Sequence, residues 1–204
     1  MALGSGSWYR RRALSRAGLV SGMRVVDVGV GTGLMAREAA RLTGPSGQVT
    51  GVDPSAGMMQ QATVPPGVKM VLGSAEAIPL PARSADFISM GYALRHVADL
   101  GVVFQEFRRV LTPGGRVCIL EITAPEGRVG RAVLKSYMRG VIPFAARWIA
   151  RHRDAPKLMR YYWDTIEACA RPNVIIAALR AAGFVDVDRT VSLGIFSEYC
   201  ALVA

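Results

Sequence analysis

The stretch Val26-Asp27-Val28-Gly29-Val30-Gly31-Thr32-Gly33 decides the fold of this chain of 204 residues. It overlaps the β-branched run 24–28, which predicts a buried strand, and it precedes residues 33–43, whose apolar positions recur at helical spacing. Glycines at a strand-to-helix turn let the backbone approach a ligand closely, and the helix start supplies unpaired N–H donors. The stretch therefore predicts the first strand, turn and helix of an α/β sheet with a ligand crevice above the turn.

A carboxylate follows the next predicted strand, 48–52. Asp53 stands twenty residues after Gly33, where a carboxylate can accept both ribose hydroxyls of a nucleoside. A nicotinamide-binding loop has its third glycine one position later, where this chain has Leu34. Asp27 suits a cationic ligand and would oppose a diphosphate. These residues predict a nucleoside cofactor and favour S-adenosylmethionine (SAM), which carries a sulfonium cation and no diphosphate.

Strands and helices alternate along most of the remaining chain. The predicted elements are helix 55–62, strand 68–72, strand 85–90, helix 99–110, strand 116–121, helix 172–181 and strands 184–190 and 195–203. This alternation predicts an α/β fold with a doubly wound, Rossmann-like sheet of seven strands. The short turn before the last strand predicts that this strand is antiparallel. We expect one domain over residues 1–204, with 123–170 forming a helical lid.

Composition narrows the class of protein without choosing a partner. The formal net charge is +10, and the chain has three cysteines and two histidines. Scattered cysteines indicate buried free thiols, and so few histidines argue against a histidine-rich metal centre. No apolar run is long enough to span a bilayer, and residues 1–20 lack the features of a signal peptide, so we expect a cytoplasmic protein. The charge alone fits a nucleic acid, an anionic membrane surface, an acidic substrate or a solvated surface.

Five stretches carry a resemblance to a known family: Val26–Gly33, Gly51–Ser55, Gly73–Leu80, Tyr92–Val97 and Phe107–Gly115. On these stretches the chain resembles the ubiquinone/menaquinone-biosynthesis C-methyltransferases (UbiE-like), a group of class I SAM-dependent methyltransferases. The similarity covers nearly the whole chain, and the third and fourth stretches are the more specific to this group. It implies the class I methyltransferase fold, SAM as cofactor, S-adenosylhomocysteine as product, no metal and a role in quinone biosynthesis.

The resemblance also implies which residues bind the cofactor. The glycine turn with Asp27 would cradle the methionine part of SAM, Asp53 would hold the ribose, and Met58 would pack on the adenine face. Ser74 stands where the family usually has Asp or Asn at the adenine edge. The implied set is Asp27, Gly29, Gly31, Thr32, Gly33, Asp53, Met58, Ser74, Ala75 and Gly91.

Arg95 and His96 are the predicted catalytic residues. They follow the fourth strand, at the sheet edge where ligands of open α/β folds bind. Methylation of an aromatic carbon is easier when a neighbouring hydroxyl is ionised, so Arg95 would stabilise a phenolate and His96 would accept its proton. The family has Asn at the position of His96. The alternative interpretation is an arginine that satisfies nearby carbonyls and a surface histidine.

The 123–170 segment resembles the family's cover over the substrate pocket. Its aromatic and basic residues suit a flat or prenylated acceptor and contact with an anionic membrane, or they form ordinary solvated helix faces. The predicted substrate-binding residues are Tyr92, Tyr137, Tyr161, Tyr162 and Trp163. We expect a small, lipophilic substrate, no nucleic acid, and a monomer or homodimer located in the cytoplasm, at the inner membrane face if the lid binds lipid. The family has a further helical stretch before Trp8, so we expect either that the working enzyme has a longer start or that the cofactor is less covered here.

Four functions stay open from the sequence. The first is C-methylation of a quinol or phenolic ring, and the second is O- or N-methylation in lipid or secondary metabolism. The third is RNA methylation, against which Met90-Gly91-Tyr92 stands in place of a Pro-Pro-Tyr-type motif. The fourth is a non-catalytic module that binds SAM.

Overall fold

The computed structural model describes residues 5–123, 127–136 and 163–204. The strands are β1 (Arg24–Val28), β2 (Gln48–Asp53), β3 (Lys69–Leu72), β4 (Ala85–Gly91), β5 (Leu111–Ile122), β6 (Phe184–Ser192) and β7 (Phe196–Val203). The helices are α1 (Ser5–Arg16), α2 (Leu34–Thr43), α3 (Ala56–Gln60), α4 (Leu100–Val110), α5 (Arg128–Ser136) and α6 (Pro172–Ala181). Residues 163–168 are also helical.

All seven strands form one sheet in the order β3-β2-β1-β4-β5-β7-β6. The strands β1 to β5 pair in parallel, whereas β7 pairs antiparallel with both β5 and β6. The predicted fold class is therefore confirmed, including the antiparallel last strand. The parallel strands β1, β2, β4 and β5 end at one side of the sheet, which we call the carboxyl edge.

Helices cover both faces of the sheet. On one face, Phe104 and Phe107 of α4 and Ile175 of α6 are fully buried against the strands. On the other face, Leu14 of α1 and Ala36 of α2 are equally buried. Burial of a large apolar side chain contributes about 1.5–3 kcal/mol, so these two layers fix the strands that carry the carboxyl edge.

Helix α1 was not among the elements predicted from the sequence. Its inner face is formed by Tyr9, Ala13 and Leu14, which pack in the same cluster as α2. Ion pairs attach its outer part to the rest of the molecule. Arg11 Nε lies 3.0 Å from Glu38 Oε2, and Arg16 Nη2 lies 2.5 Å from Glu198 Oε1. Helix α1 therefore belongs to the same layer as α2, on one face of the sheet.

The predicted lid is described only at its two ends, α5 and residues 163–168, and both are helical. The expected breaks near Pro143 and Pro156 lie outside the described residues. The extent of the domain and the role of the lid stay predictions. Within the described ranges, no helix combines the length and apolar character needed to cross a membrane.

Candidate active site

The glycine turn between β1 and α2 adopts backbone angles that favour glycine. Gly29, Gly31 and Gly33 have φ values of 69°, 52° and 82°, in the left-handed region that side chains with a Cβ rarely adopt. A Cβ on Gly29 would lie 2.5 Å from the Cβ of Ala93, whereas a Cβ on Gly31 would meet only Met58 Cε at 3.5 Å among side chains. The space above Gly31 is thus open to a ligand.

Asp53, at the end of β2, holds this turn in place. Its Oδ2 accepts a hydrogen bond from the backbone N of Gly31 at 2.8 Å, and its Oδ1 accepts one from Ser55 N at 2.8 Å. A carboxylate oxygen has two acceptor positions, so both oxygens retain one for a ligand. The side chain is 7% exposed. It is therefore placed to position the turn and to accept hydroxyl groups at the same time.

Asp27, at the end of β1, is buried beneath the turn with 1% exposure. Its Oδ1 accepts a hydrogen bond from Ser89 Oγ at 2.7 Å, while its Oδ2 has no partner among the described residues. Burial raises the pKa of this carboxyl to about 7, although the Ser89 hydrogen bond opposes the rise. A buried acceptor without a donor is costly, and a cationic ligand would relieve that cost.

The predicted adenine-side residues lie around the same crevice. Met58 is 44% exposed, with its Cε beside Gly31. The loop of Ser74 and Ala75 follows β3, and α4 supports it through a 2.7 Å hydrogen bond from Ile78 N to Glu106 Oε1. A Cβ on Gly91 would lie 2.5 Å from Met35 Cγ, so this glycine permits close packing of α2 on β4. The roles of these residues, and of Thr32 in the turn, in binding SAM stay predictions.

Arg95 forms a buried ion pair with Glu121 at the end of β5. The two side chains are 3% and 0% exposed, and Arg95 Nη2 donates to Glu121 Oε1. The backbone N of Arg95 lies 3.3 Å from Glu121 Oε2. Burial raises the pKa of Glu121, and Arg95 opposes the rise. Arg95 Nε is buried without a partner among the described residues, so one donor remains for a ligand.

The other residues after β4 differ in exposure. His96 is exposed, and partial burial followed by the charge of Arg95 lowers its pKa. Tyr92 has a φ of 61°, and its hydroxyl is buried without a hydrogen-bond partner in the part of the chain that the structure describes. Burial raises the pKa of Tyr92 to about 12. His96 is therefore neutral near neutral pH, and Tyr92 keeps its proton. Their catalytic and substrate-binding roles stay predictions.

One of the four substrate-binding residues predicted in the lid is described. Trp163 is fully buried, and its Nε1 donates to Glu167 Oε2 at 2.9 Å. Six residues later, burial is the main cause that raises the pKa of Cys169 to about 11. The charge of Glu121 also raises this pKa, and the charge of Arg95 lowers it. The end of the lid thus lies near the Arg95 corner. Tyr137, Tyr161 and Tyr162 lie outside the described residues, as does most of the expected basic surface, so membrane contact also stays a prediction.

Three residues that act on the candidate site were missed from the sequence: Ser89, which donates to Asp27, Glu121, which pairs with Arg95, and Arg10, whose charge lowers the pKa of Asp27. Ser89 is the Cα partner of Asp27 between β1 and β4, and Glu121 follows Leu120, the partner of Gly91 between β4 and β5. Both could have been found by aligning the ends of predicted neighbouring strands. Arg10 carries no such signal, because it is the first of three consecutive arginines.

Comparison with known proteins agrees with this geometry. A sequence model described as the ubiE/COQ5 methyltransferase family matches residues 1–202. The ubiquinone/menaquinone biosynthesis C-methyltransferase UbiE of Hahella chejuensis is 28% identical over 190 residues, which cover 90% of this chain and 75% of that protein. The demethylmenaquinone methyltransferase of Lactococcus lactis subsp. lactis is 30% identical over 188 residues, which cover 88% of this chain and 73% of that protein.

Solved structures share the fold at lower identity. A SAM-dependent methyltransferase from Aquifex aeolicus has a TM-score of 0.69 at 21% identity, with 96% of this chain and 89% of that chain covered. Phosphoethanolamine N-methyltransferase 2 of Haemonchus contortus, solved with SAM, has a TM-score of 0.69 at 19% identity, with 96% and 52% covered. The chain belongs to the ubiE/COQ5 methyltransferase family and is a SAM-dependent methyltransferase with the class I fold.

Proposed function

We propose that this enzyme transfers the methyl group of SAM to a ring carbon of a quinol or related phenol, and that the crevice above Gly31 binds the methyl donor. The observation that carries the proposal is the pair of buried carboxylates on either side of the glycine turn. Asp27 has an oxygen to which no described residue donates a hydrogen bond, and Asp53 retains acceptor positions on both oxygens. The two curated relatives, both named as methyltransferases of quinone biosynthesis, support the class of acceptor.

The residues present fit the proposed donor. The open space at Gly31 admits a ligand close to the backbone, and the unpaired Asp27 oxygen suits a cation. Met58 offers a half-exposed thioether at the rim, where an aromatic base can pack against it. Asp53 then accepts the ribose hydroxyls. When bound, SAM supplies an electrophilic methyl group on its sulfonium.

The acceptor side is proposed to position the ring and to accept the proton of its hydroxyl group. Methyl transfer is an in-line displacement, in which a ring carbon forms the new bond as the S–CH₃ bond breaks. The electron pair of the broken bond stays on sulfur, and the methylated ring carbon then loses its own proton to water, which restores the aromatic ring. His96, kept neutral by its lowered pKa, accepts the proton of the ring hydroxyl. The free Nε–H of Arg95 then donates to the resulting phenolate.

Calorimetric titration with S-adenosylhomocysteine tests the donor site. We expect the intact protein to bind it and Asp53→Ala to lose at least about 100-fold in affinity, because the substitution removes the ribose acceptors and the hydrogen bond that holds Gly31 of the turn. Asp99→Ala is the matched control. Asp99 also accepts two backbone N–H groups, from Gly101 and Val102 at the start of α4, but neither of these belongs to the glycine turn.

Two results of this titration would contradict the donor site or the role of Asp53 in it. No binding to the intact protein would contradict the proposed donor site, and equal losses in Asp53→Ala and Asp99→Ala would remove Asp53 from it. Methyl-labelled SAM, incubated with demethylated quinols, simple phenols and bulk RNA, then tests the acceptor. We expect label on a ring carbon. Label on a phenolic oxygen, or only in RNA, would overturn the proposed acceptor.

A further inference from the structure

Arg10 is a buried cation on the inner face of α1. Its neighbours on that face, Tyr9, Ala13 and Leu14, belong to an apolar cluster, yet Arg10 itself is only 7% exposed. Its guanidinium folds back over Gly6, where a Cβ would lie 2.9 Å from Arg10 Nη1. Burial of a guanidinium is costly unless the charge is paired and its donors are used, so the position of Arg10 requires an explanation.

The described residues provide no direct partner for this charge. Arg10 Nε has no hydrogen-bond partner in this part of the chain, and Arg10 is in none of its ion pairs. The other arginines of α1 with a buried carboxylate in reach, Arg11 and Arg16, do form such pairs. Arg10 therefore differs from them in being both more buried and unpaired.

The charge of Arg10 acts on two groups at the carboxyl edge to which it donates no hydrogen bond within the described residues. They are Asp27 and Tyr92, each of which interacts electrostatically with the guanidinium. Each also has a buried polar atom without a hydrogen-bond partner within residues 5–123, 127–136 and 163–204, namely Asp27 Oδ2 and the Tyr92 hydroxyl. A buried cation, a buried carboxylate and a buried hydroxyl thus share one region, and all three have unused hydrogen-bonding capacity.

We propose that Arg10 is a donor-binding residue that takes the α-carboxylate of the amino-acid end of SAM, while Asp27 takes the α-ammonium. The inference rests on the proposed donor site and assigns the charge on α1 to it. A zwitterion satisfies a separated cation and anion together, which a phosphate or a neutral ligand cannot do. A guanidinium suits a carboxylate because it offers parallel N–H donors, and the Tyr92 hydroxyl supplies a further donor.

If Arg10 binds the carboxylate, its replacement should lower the affinity for the ligand without lowering the stability of the ligand-free protein. Replacement by an apolar side chain of similar length removes an unpaired buried charge, which is neutral or stabilising for the ligand-free protein. The same replacement removes the group that binds the carboxylate. A purely structural arginine would instead lose stability on replacement. Arg10→Met thus separates binding from packing, and Arg12→Met is its control, because Arg12 stacks on exposed Trp8 at 5.2 Å.

Calorimetry should compare S-adenosylhomocysteine with 5′-methylthioadenosine, which has no amino-acid end. We expect Arg10→Met to weaken binding of S-adenosylhomocysteine by about 10- to 100-fold, the range for a hydrogen-bonded charge pair. Binding of 5′-methylthioadenosine should change by less than about twofold, and Arg12→Met should change neither. Urea titration should show that ligand-free Arg10→Met is at least as stable as the parent protein.

Equal losses for both ligands, or no loss for either, would overturn the assignment of Arg10. Decarboxylated S-adenosylhomocysteine provides a test on the parent protein that does not depend on a variant. It should bind about 10- to 100-fold more weakly than S-adenosylhomocysteine, and equal affinity would also overturn the inference. If the parent protein binds none of the three ligands, the proposed function fails with it. Binding of S-adenosylhomocysteine unaffected by the carboxylate overturns the role of Arg10 alone.

Discussion

Two buried carboxylates at the carboxyl edge, Asp27 at the end of β1 and Glu121 at the end of β5, show how differently the two halves of the site are built. Their side chains are 1% and 0% exposed, and burial raises the pKa of both. Glu121 is paired directly with Arg95. Asp27 accepts a hydrogen bond from the hydroxyl of Ser89, and the backbone N–H of Ala36 also lowers its pKa, but its Oδ2 has no hydrogen-bond partner among the described residues.

The difference separates a corner that is complete in itself from one that needs a ligand. At the β5 side, the cation that compensates the carboxylate comes from the chain, so the geometry of Arg95 is fixed before any substrate arrives. At the β1 side, the carboxylate has no such cation in contact and is ready to receive one. Under the function proposed above, the charge is preorganised on the acceptor side and unfilled on the donor side, and preorganised charge is a common means of stabilising a transition state.

Breaking the Arg95–Glu121 pair should have the largest effect. Glu121→Gln leaves a buried guanidinium that cannot lose its proton, so we expect unfolding to become easier by about 3–5 kcal/mol. Arg95→Met leaves a carboxyl that can take up a proton, because burial raises its pKa further without the arginine. Its loss should be smaller and should shrink as the pH falls. Urea titrations of both variants at two pH values measure the comparison.

The control for this pair is Arg24→Met. Arg24 also forms an ion pair, with Asp86 at 2.6 Å, but the two side chains are 43% and 30% exposed. An exposed pair contributes about 0–1 kcal/mol. A loss of stability in Glu121→Gln no larger than that in Arg24→Met would show that the buried Arg95–Glu121 pair does not stabilise the β5 corner more than an exposed pair does.

Much of the fold follows from local pattern, and the two carboxylate corners show where local pattern stops. The glycine turn, the alternating strands and helices and the antiparallel last strand are visible because each depends on residues close in sequence. Asp27 and Asp53 were found because a turn motif fixes their spacing. The Arg95–Glu121 pair joins residues 26 positions apart, and it exists only because β4 lies beside β5 in a particular register.

Helix α1 shows a second reason why part of the structure could not be predicted from the sequence. Its run Arg10-Arg11-Arg12 gives the appearance of a solvated segment, yet one arginine is buried, one pairs with Glu38 and one stacks on Trp8. Tertiary packing decides which of three identical side chains faces the core. Neither composition nor periodicity distinguishes them, so the cation that acts on Asp27 could not be predicted from the sequence.

Asp27→Asn should produce the second effect, a loss of pH dependence at the donor site. A ligand ammonium binds the ionised carboxylate, so affinity for S-adenosylhomocysteine should rise up to about tenfold per pH unit as the pH approaches 7 from below. The asparagine variant should bind weakly and with a flat profile. Calorimetry between about pH 5 and about pH 7.5, where the α-ammonium stays charged, measures the slope. A parent profile as flat as that of Asp27→Asn would contradict an open Asp27.

The stability of the protein should also depend on pH, in the direction set by the raised pKa of Asp27. The pKa of Asp27 is raised in the folded protein to about 7, so its contribution is fully present below the unfolded pKa and is lost as the pH rises through about 7. Asp27→Asn should remove that fall. Asp86→Asn is the control of opposite sign, because the hydrogen bond from Arg24 lowers the pKa of Asp86, and its contribution is lost as the pH falls.

Ser89→Ala should give the smallest effect and the finest test of the contrast. The Ser89 hydroxyl is fully buried and lowers the pKa of Asp27 through its 2.7 Å hydrogen bond. Its removal should destabilise the protein by about 1 kcal/mol and move the midpoint of the pH-dependent binding of S-adenosylhomocysteine upward. Ser84→Ala, which removes an exposed hydrogen bond to Pro81 O, should leave that midpoint unchanged. If Ser89→Ala also leaves it unchanged, the titrating group at the donor site is not Asp27, and the two corners differ in structure without differing in charge.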